Sequence, residues 1–168
     1  MNKSGVDELE IEIYVEVSQA YKNVSKYKRI MVPVVEYRIN LSVNARRFNE
    51  DEDEVFVVAA FFDSLPSMYT CSCGLFGCGG FYVNVRHGRE TVTWDAEQST
   101  TMRFVFSKQN VLRVAEKLLE KLLELNALLL QNGLPDYHEL DVYRANTAKF
   151  AQTLHSRWQR RRELHRND

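Results

Sequence analysis

At 168 residues and 45% hydrophobic content, the chain is long enough to bury one core and too short for two ordinary domains, so a single domain over 1–168 is expected. A formal net charge of -1 excludes a globally basic nucleic-acid binder and leaves only local patches to consider. No apolar segment follows Met1-Asn2-Lys3-Ser4, and the longest apolar run, Val55 to Phe62, is far below membrane-spanning length. A cytoplasmic protein with no membrane association is expected.

Leu9, Ile11, Ile13, Val15 and Val17 alternate with Glu10, Glu12, Tyr14 and Glu16, which predicts a half-buried first strand with one aliphatic and one mostly acidic face. Ser18 to Arg29 is polar, carries Lys22, Lys26, Lys28 and Arg29 among tyrosines, and reads as a loop with at most one helical turn. Pro33 demotes Ile30 to Val35 to an edge or a lead-in. Alternation returns at Tyr37, Ile39, Leu41 and Val43, the second strand. Five consecutive acids, Glu50, Asp51, Glu52, Asp53 and Glu54, form a solvated loop. Its functional reading is an acidic contact surface or a weak divalent-cation site; its plain reading, which outweighs the other, is a self-repelling connection. Val55 to Phe62 is apolar on both faces and predicts a central strand covered on both sides.

Phe81, Val83 and Val85, then Val92 and Trp94, alternate around His87-Gly88-Arg89-Glu90. A two-residue loop Gly88-Arg89 would pair Val85 with Val92, Val83 with Trp94 and Phe81 with Ala96, burying one face of both strands. Thr101 to Phe106 is a further short strand. Ser107 is a helix cap, after which Val111, Leu112, Val114, Ala115, Leu118, Leu119, Leu122, Leu125, Leu128 and Leu129 mark a core helix ending near Gly133. Beyond Pro135, the positions Leu140, Tyr143, Thr147, Phe150, Ala151, Leu154 and Trp158 predict a second long helix. The short connection makes the two an antiparallel hairpin. The fold class is therefore α+β, a largely antiparallel sheet from 1–106 packed by a helical hairpin from 107–168.

The most distinctive stretch is Cys71-Ser72-Cys73-Gly74-Leu75-Phe76-Gly77-Cys78-Gly79-Gly80, which gathers all three cysteines and four of the seven glycines. It reads as a tight knuckle outside regular structure. Three thiolates from Cys71, Cys73 and Cys78 would give zinc three of its four ligands. His87 invites the fourth place, yet at the hairpin tip it lies roughly 20 Å from the knuckle at ~3.3 Å per residue. The same register brings Asp95 and Glu97 back beside Gly80, so a carboxylate, Asp95 first, or a water is the better-placed candidate. Reduced structural cysteines lead, a zinc site comes second, and a redox dithiol third, because the C-x-C spacing departs from the usual zinc separation and no C-x-x-C motif occurs. No cofactor is certain.

From Thr70 to Asp95, with its C-x-C-G-x-x-G-C-G-G segment and following strand and turn, the chain resembles a family of uncharacterised bacterial proteins. The likeness resumes at Phe104-Val105-Phe106-Ser107-Lys108-Gln109 and covers about a third of the chain. It implies a bacterial protein of no assigned activity and transfers no catalytic residue.

Toward the C-terminus Arg157, Arg160, Arg161, Arg162 and Arg166 concentrate positive charge. Part of this complements the helix dipole; the sharper reading is a surface for an acidic protein, with nucleic acid second. His138 and Asp141 lack a third partner, and no nucleophile elbow or phosphate loop occurs. The sequence thus supports a non-enzymatic protein-binding role, of the immunity or accessory kind, contacted through the acidic loop and the basic helix end. The alternatives are a metal- or thiol-dependent protein at the cysteines and a nucleic-acid binder at the basic helix. The partner and the oligomeric state are not legible.

Overall fold

The computed structural model describes residues 5–48, 55–66, 71–73, 76–77, 82–97 and 101–164. In chain order these hold β1 (Leu9–Ser25), β2 (Lys28–Val43), β3 (Arg46–Arg47), β4 (Val55–Phe56), α1 (Val58–Ser64), β5 (Cys71–Cys73), β6 (Phe76–Gly77), β7 (Val83–His87), β8 (Thr91–Glu97), β9 (Thr101–Ser107), α2 (Lys108–Gln131) and α3 (Leu140–Leu164). The class is α+β. Instead of one sheet there are three, ordered β1-β2-β3, β4-β6 and β5-β7-β8-β9. The first and last are joined at Asp7, whose N–H donates to the Val105 carbonyl (2.6 Å) in a bridge to β9.

The first correction concerns Ser18 to Arg29, which is not a loop. β1 runs on to Ser25 and pairs with β2 from Leu9↔Val43 to Asn23↔Arg29, closing around Lys26 and Tyr27. The polar composition misleads because this half of the ribbon has no core to face, so few of its positions need to be apolar. Pro33 sits opposite Gln19 on a strand whose other edge is covered by β3 only at Ser42 and Val43. A residue without an N–H is tolerated on such an edge. At the opposite end Asn44 and Ala45 take φ of 52° and 62°, the left-handed pair of a two-residue loop between Val43 and Arg46.

The second correction is larger. Only Val55 and Phe56 of the expected central strand are extended; Val58–Ser64 is helix α1. Val58, Phe61, Phe62 and Leu65 are the buried set, spaced i, i+3, i+4, i+7, so a run apolar at every position has been divided by helical rather than strand period. Asn146 of α3 donates from Nδ2 to the Phe62 carbonyl (3.2 Å), a second donor beside the Leu65 N–H (3.3 Å) at the C-terminal end of α1. Phe62 also stacks on Tyr143 with centroids 4.4 Å apart.

The β7–β8 hairpin forms with its register displaced by two. Val85 faces Trp94, Val83 faces Ala96, and Gly88 N–H donates to Thr91 O (2.9 Å) around Arg89-Glu90. A shift of two keeps every side chain on its expected face, and Val83, Val85, Val92, Trp94 and Ala96 are all buried. Gly88 does not take the positive φ that the expected turn requires; a Cβ there would meet Thr91 Oγ1 at 3.0 Å.

Helix α2 begins as expected, with Ser107 Oγ accepting from Asn110 N–H (3.1 Å). It ends at Gly133, φ 67°, where Leu134 N–H reaches Leu129 O and Gly133 N–H reaches Leu130 O, the paired bonds of a Schellman stop. Its buried stripe from Val111 to Leu125 joins Leu9, Ile11, Ile39, Leu41 and Val43 of the ribbon, the β7–β9 face and Phe150 of α3 in one core. Asn110 is the buried polar residue of that seam. Its side chain accepts from Leu9 N–H (2.8 Å) and donates to Leu9 O (2.9 Å), clamping the start of β1 to α2.

Candidate functional site

Part of the knuckle is regular structure, which corrects the loop expectation. Cys71–Cys73 is a strand on the edge of the four-stranded sheet, with Cys71 opposite Val85 and Cys73 opposite Val83. Phe76–Gly77 pairs with Val55–Phe56. Cys78, Gly79, Gly80 and Phe81 lie outside the described residues. Glycine richness misled here because a strand edge tolerates glycine where another backbone approaches.

Asp95 faces Asn84 across β7–β8, and Asn84 in turn faces Ser72. Both Asp95 carboxylate oxygens are engaged, one by Arg103 Nε (2.6 Å) and the other by Arg86 Nη2. The hydrogen bond from Arg103, reinforced by the charges of both guanidiniums, holds the carboxyl below its ordinary range. Among the described residues no group of three or more His, Cys, Asp or Glu side chains converges on one point.

His87 ends β7 at the hairpin tip, as expected, but is half-buried there. Cys71 opposite Val85 also brings that cysteine's backbone within roughly 10 Å of residue 87, far less than the 20 Å inferred from Cys78. The imidazole nevertheless has an occupation of its own. Its Nε2–H donates to the Ser64 carbonyl (2.8 Å) at the end of α1, and its ring meets Phe150 edge-on at 6.0 Å. Burial lowers its pKa against the opposing pull of the Ser64 bond, with Lys108 adding a further lowering charge.

The acidic run Glu50 to Glu54 lies outside the described residues. The basic C-terminal segment is helical through Leu164, so Arg157, Arg160, Arg161 and Arg162 follow one another on α3. Asp141 engages Arg144 (3.3 Å).

The feature that sequence analysis missed is the outer half of the β1–β2 ribbon. Because β1 and β2 stay in one register, the odd positions of β1 and their partners form one face: Leu9/Val43, Ile11/Leu41 and Ile13/Ile39 under α2, then Val15/Tyr37, Val17/Val35 and Tyr21/Met31 beyond it. Val35 still packs against the edge of the core, while the rest of the stripe continues into solvent. Val17 is 49% exposed and Tyr21 71%, with Val15, Met31 and Tyr37 also exposed. From Val15 to Ser25 the arm extends about 34 Å at ~3.4 Å per residue. The available signal was Tyr21, Val24, Ile30 and Met31, apolar or aromatic residues spaced through a stretch that polar composition assigned to a loop.

At the arm's root Tyr37 packs edge-on against Tyr137 (6.2 Å), and Tyr143 donates to Glu139 Oε2 (3.0 Å). Burial raises the Tyr143 pKa to about 12, helped by the Glu139 bond and by the charges of Glu139 and Asp63. Burial, with Tyr37 adding to it, also raises that of Tyr137. These phenols are neutral packing groups at neutral pH. Compared with family models, curated proteins and solved structures, the chain finds no match. No helix among the described residues is long and apolar enough to cross a membrane.

Proposed function

We propose that this chain is a non-enzymatic protein-binding module acting in the cytoplasm, in an immunity or accessory capacity, and that the β1–β2 arm carries its contact surface. The supporting observation is the exposed apolar stripe of Val15, Val17, Tyr21, Met31 and Tyr37 on one face of a projecting ribbon. Contiguous exposed apolar surface of this kind marks interaction sites. Tyrosine and methionine suit such a surface, since the first is rigid and amphipathic and the second adapts to irregular partners. The acidic run Glu50 to Glu54 and the arginines Arg157 to Arg162 would serve as flanking contacts.

A photo-reactive residue introduced at Val17, on the stripe, tests this against the same residue at Tyr82, which is exposed on the body. In cells of the source organism the arm position should yield a discrete protein adduct and the body position none. Equal labelling at both, or adducts to nucleic acid alone, overturns the reading.

A further inference from the structure

The arm has two edges, and they are not equivalent. Asn110 engages both the N–H and the C=O of Leu9 from the side away from β2, so Leu9 points its backbone groups outward. Residues of a strand alternate in this respect, and Val15, Val17, Gln19, Tyr21 and Asn23 therefore direct theirs outward too. All five are exposed, and none of these backbone groups has a hydrogen-bond partner among the described residues. On β2 the Leu41 carbonyl turns toward β3, where Phe48 N–H donates to it (2.7 Å), which places Pro33 among the outward residues of that strand. One edge of the arm thus lacks a donor midway along it, while the other offers an unbroken template for a further strand.

We propose that the strand added there is β1 of a second copy of this chain, antiparallel about a two-fold axis at Gln19, giving one four-stranded sheet in the order β2-β1-β1-β2. The observation that selects this occupant is the charge on β1 itself. Glu16 and Lys22 share the face opposite the apolar stripe, three residues either side of Gln19. With the axis there, Glu16 stands directly opposite the second copy's Lys22, and Lys22 opposite its Glu16, as close non-hydrogen-bonded pairs. On the stripe face Val17 meets the second copy's Tyr21. An axis at Glu16 or at Lys22 would instead oppose like charges. The pairing needs only Val15 to Asn23, all beyond the rungs that α2 covers. The second copy's turn at Lys26 and Tyr27 comes alongside Glu12 and Ile11, edge-on and short of Leu9, and the two bodies lie at opposite ends of the shared sheet. Growth stops at two, because both outer edges are then β2, each interrupted at Pro33. The apolar stripes stay open side by side, so the pairing uses only the edge of the arm and does not depend on what the stripe contacts.

Sedimentation equilibrium on the full chain tests the proposal. The wild type should be a dimer at micromolar concentration. Gln19→Pro should raise the dissociation constant about thirtyfold, as the loss of two backbone hydrogen bonds does. The N–H it removes faces away from β2, so circular dichroism should be unchanged. Lys22→Glu should weaken the dimer about tenfold by setting like charges opposite one another, and adding Glu16→Lys should restore it. Lys28→Glu, on β2 and off the seam, should change nothing. To fix the register, a Glu16→Cys copy mixed with a Lys22→Cys copy should give a covalent dimer under mild oxidation that neither gives alone. A monomer throughout this range overturns the proposal, as does assembly beyond two, indifference to either Gln19→Pro or Lys22→Glu, equal weakening by Lys28→Glu, or equal cross-linking without mixing. Mass analysis of the Val17 photo-adduct keeps the two readings apart. A monomer whose arm labels another protein overturns the pairing and leaves the contact surface standing; a dimer that labels nothing but itself does the reverse.

Discussion

The inner and outer halves of the β1–β2 ribbon share one register and one alternating face, yet meet opposite surroundings. Ile11 and Leu41 are fully covered by the core, whereas Val17 and Tyr21, only three and five rungs further out on the same face, are exposed. Alternation therefore reports that a strand has an apolar face, not what covers it. In the inner half the cover is α2; in the outer half Val17 and Tyr21 are open to solvent. The β7–β8 hairpin adds a contrast at its tip, since His87 ties it to α1 and Phe150 while Tyr27, at the tip of the arm, is 88% exposed.

The sharpest way to break this comparison is to remove the same kind of side chain from each half. Ile11→Ala should cost about 2–5 kcal/mol through lost transfer and a cavity under α2. Val17→Ala, measured by urea unfolding at concentrations where the chain is monomeric, should stay within about 0.5 kcal/mol. Comparable losses would show that the arm packs against the body. Asn110→Ala comes next, because it strips partners from both backbone groups of Leu9. A loss of about 2–4 kcal/mol is expected, toward the lower end of the usual 1–3 for each buried group left unpaired. Exchange of the Leu9 amide should accelerate markedly, while amides near Tyr21 should exchange no faster than before.

For the two tips, His87→Ala should destabilise by about 1–3 kcal/mol by orphaning the Ser64 carbonyl, against almost nothing for Tyr27→Ala. The pH dependence has a definite sign. Burial lowers the His87 pKa, so the unfolded chain takes up the proton first as pH falls. Stability present above about 6.5 is lost below it, toward the folded-state value. His87→Gln, which keeps a donor, should flatten that part of the urea-midpoint profile; an unchanged profile would mean another group controls it. The smallest expected change is a gain. Ala45 holds a φ of 62° without glycine's freedom, so Ala45→Gly should stabilise the inner end of the ribbon by about 1 kcal/mol, the usual cost of a left-handed alanine. A loss instead would mean that the alanine methyl makes a contact outweighing its strain.

Much of the fold was determined by local pattern. Leu9 to Val17, Tyr37 to Val43, the paired faces of Val83/Val85 and Trp94/Ala96, the Ser107 cap and the Gly133 stop can all be derived from period and capping chemistry, which act over a few residues. Three features had to await tertiary structure. Val55 to Phe62 is apolar throughout, so neither period is expressed in its sequence. The packing of Phe61 against Trp94 and of Phe62 against Tyr143 selects the helix. Residues 18–23 and Ser25 are strand because each pairs with a β2 partner 3 to 16 positions away, a constraint invisible to composition. His87 and Asn110 acquire their roles from Ser64 and Leu9, 23 and 101 residues distant, contacts that only the folded chain creates. The arm was hidden for the same reason: its residues are ordinary, and what distinguishes them is that a core-facing stripe continues past the end of the core.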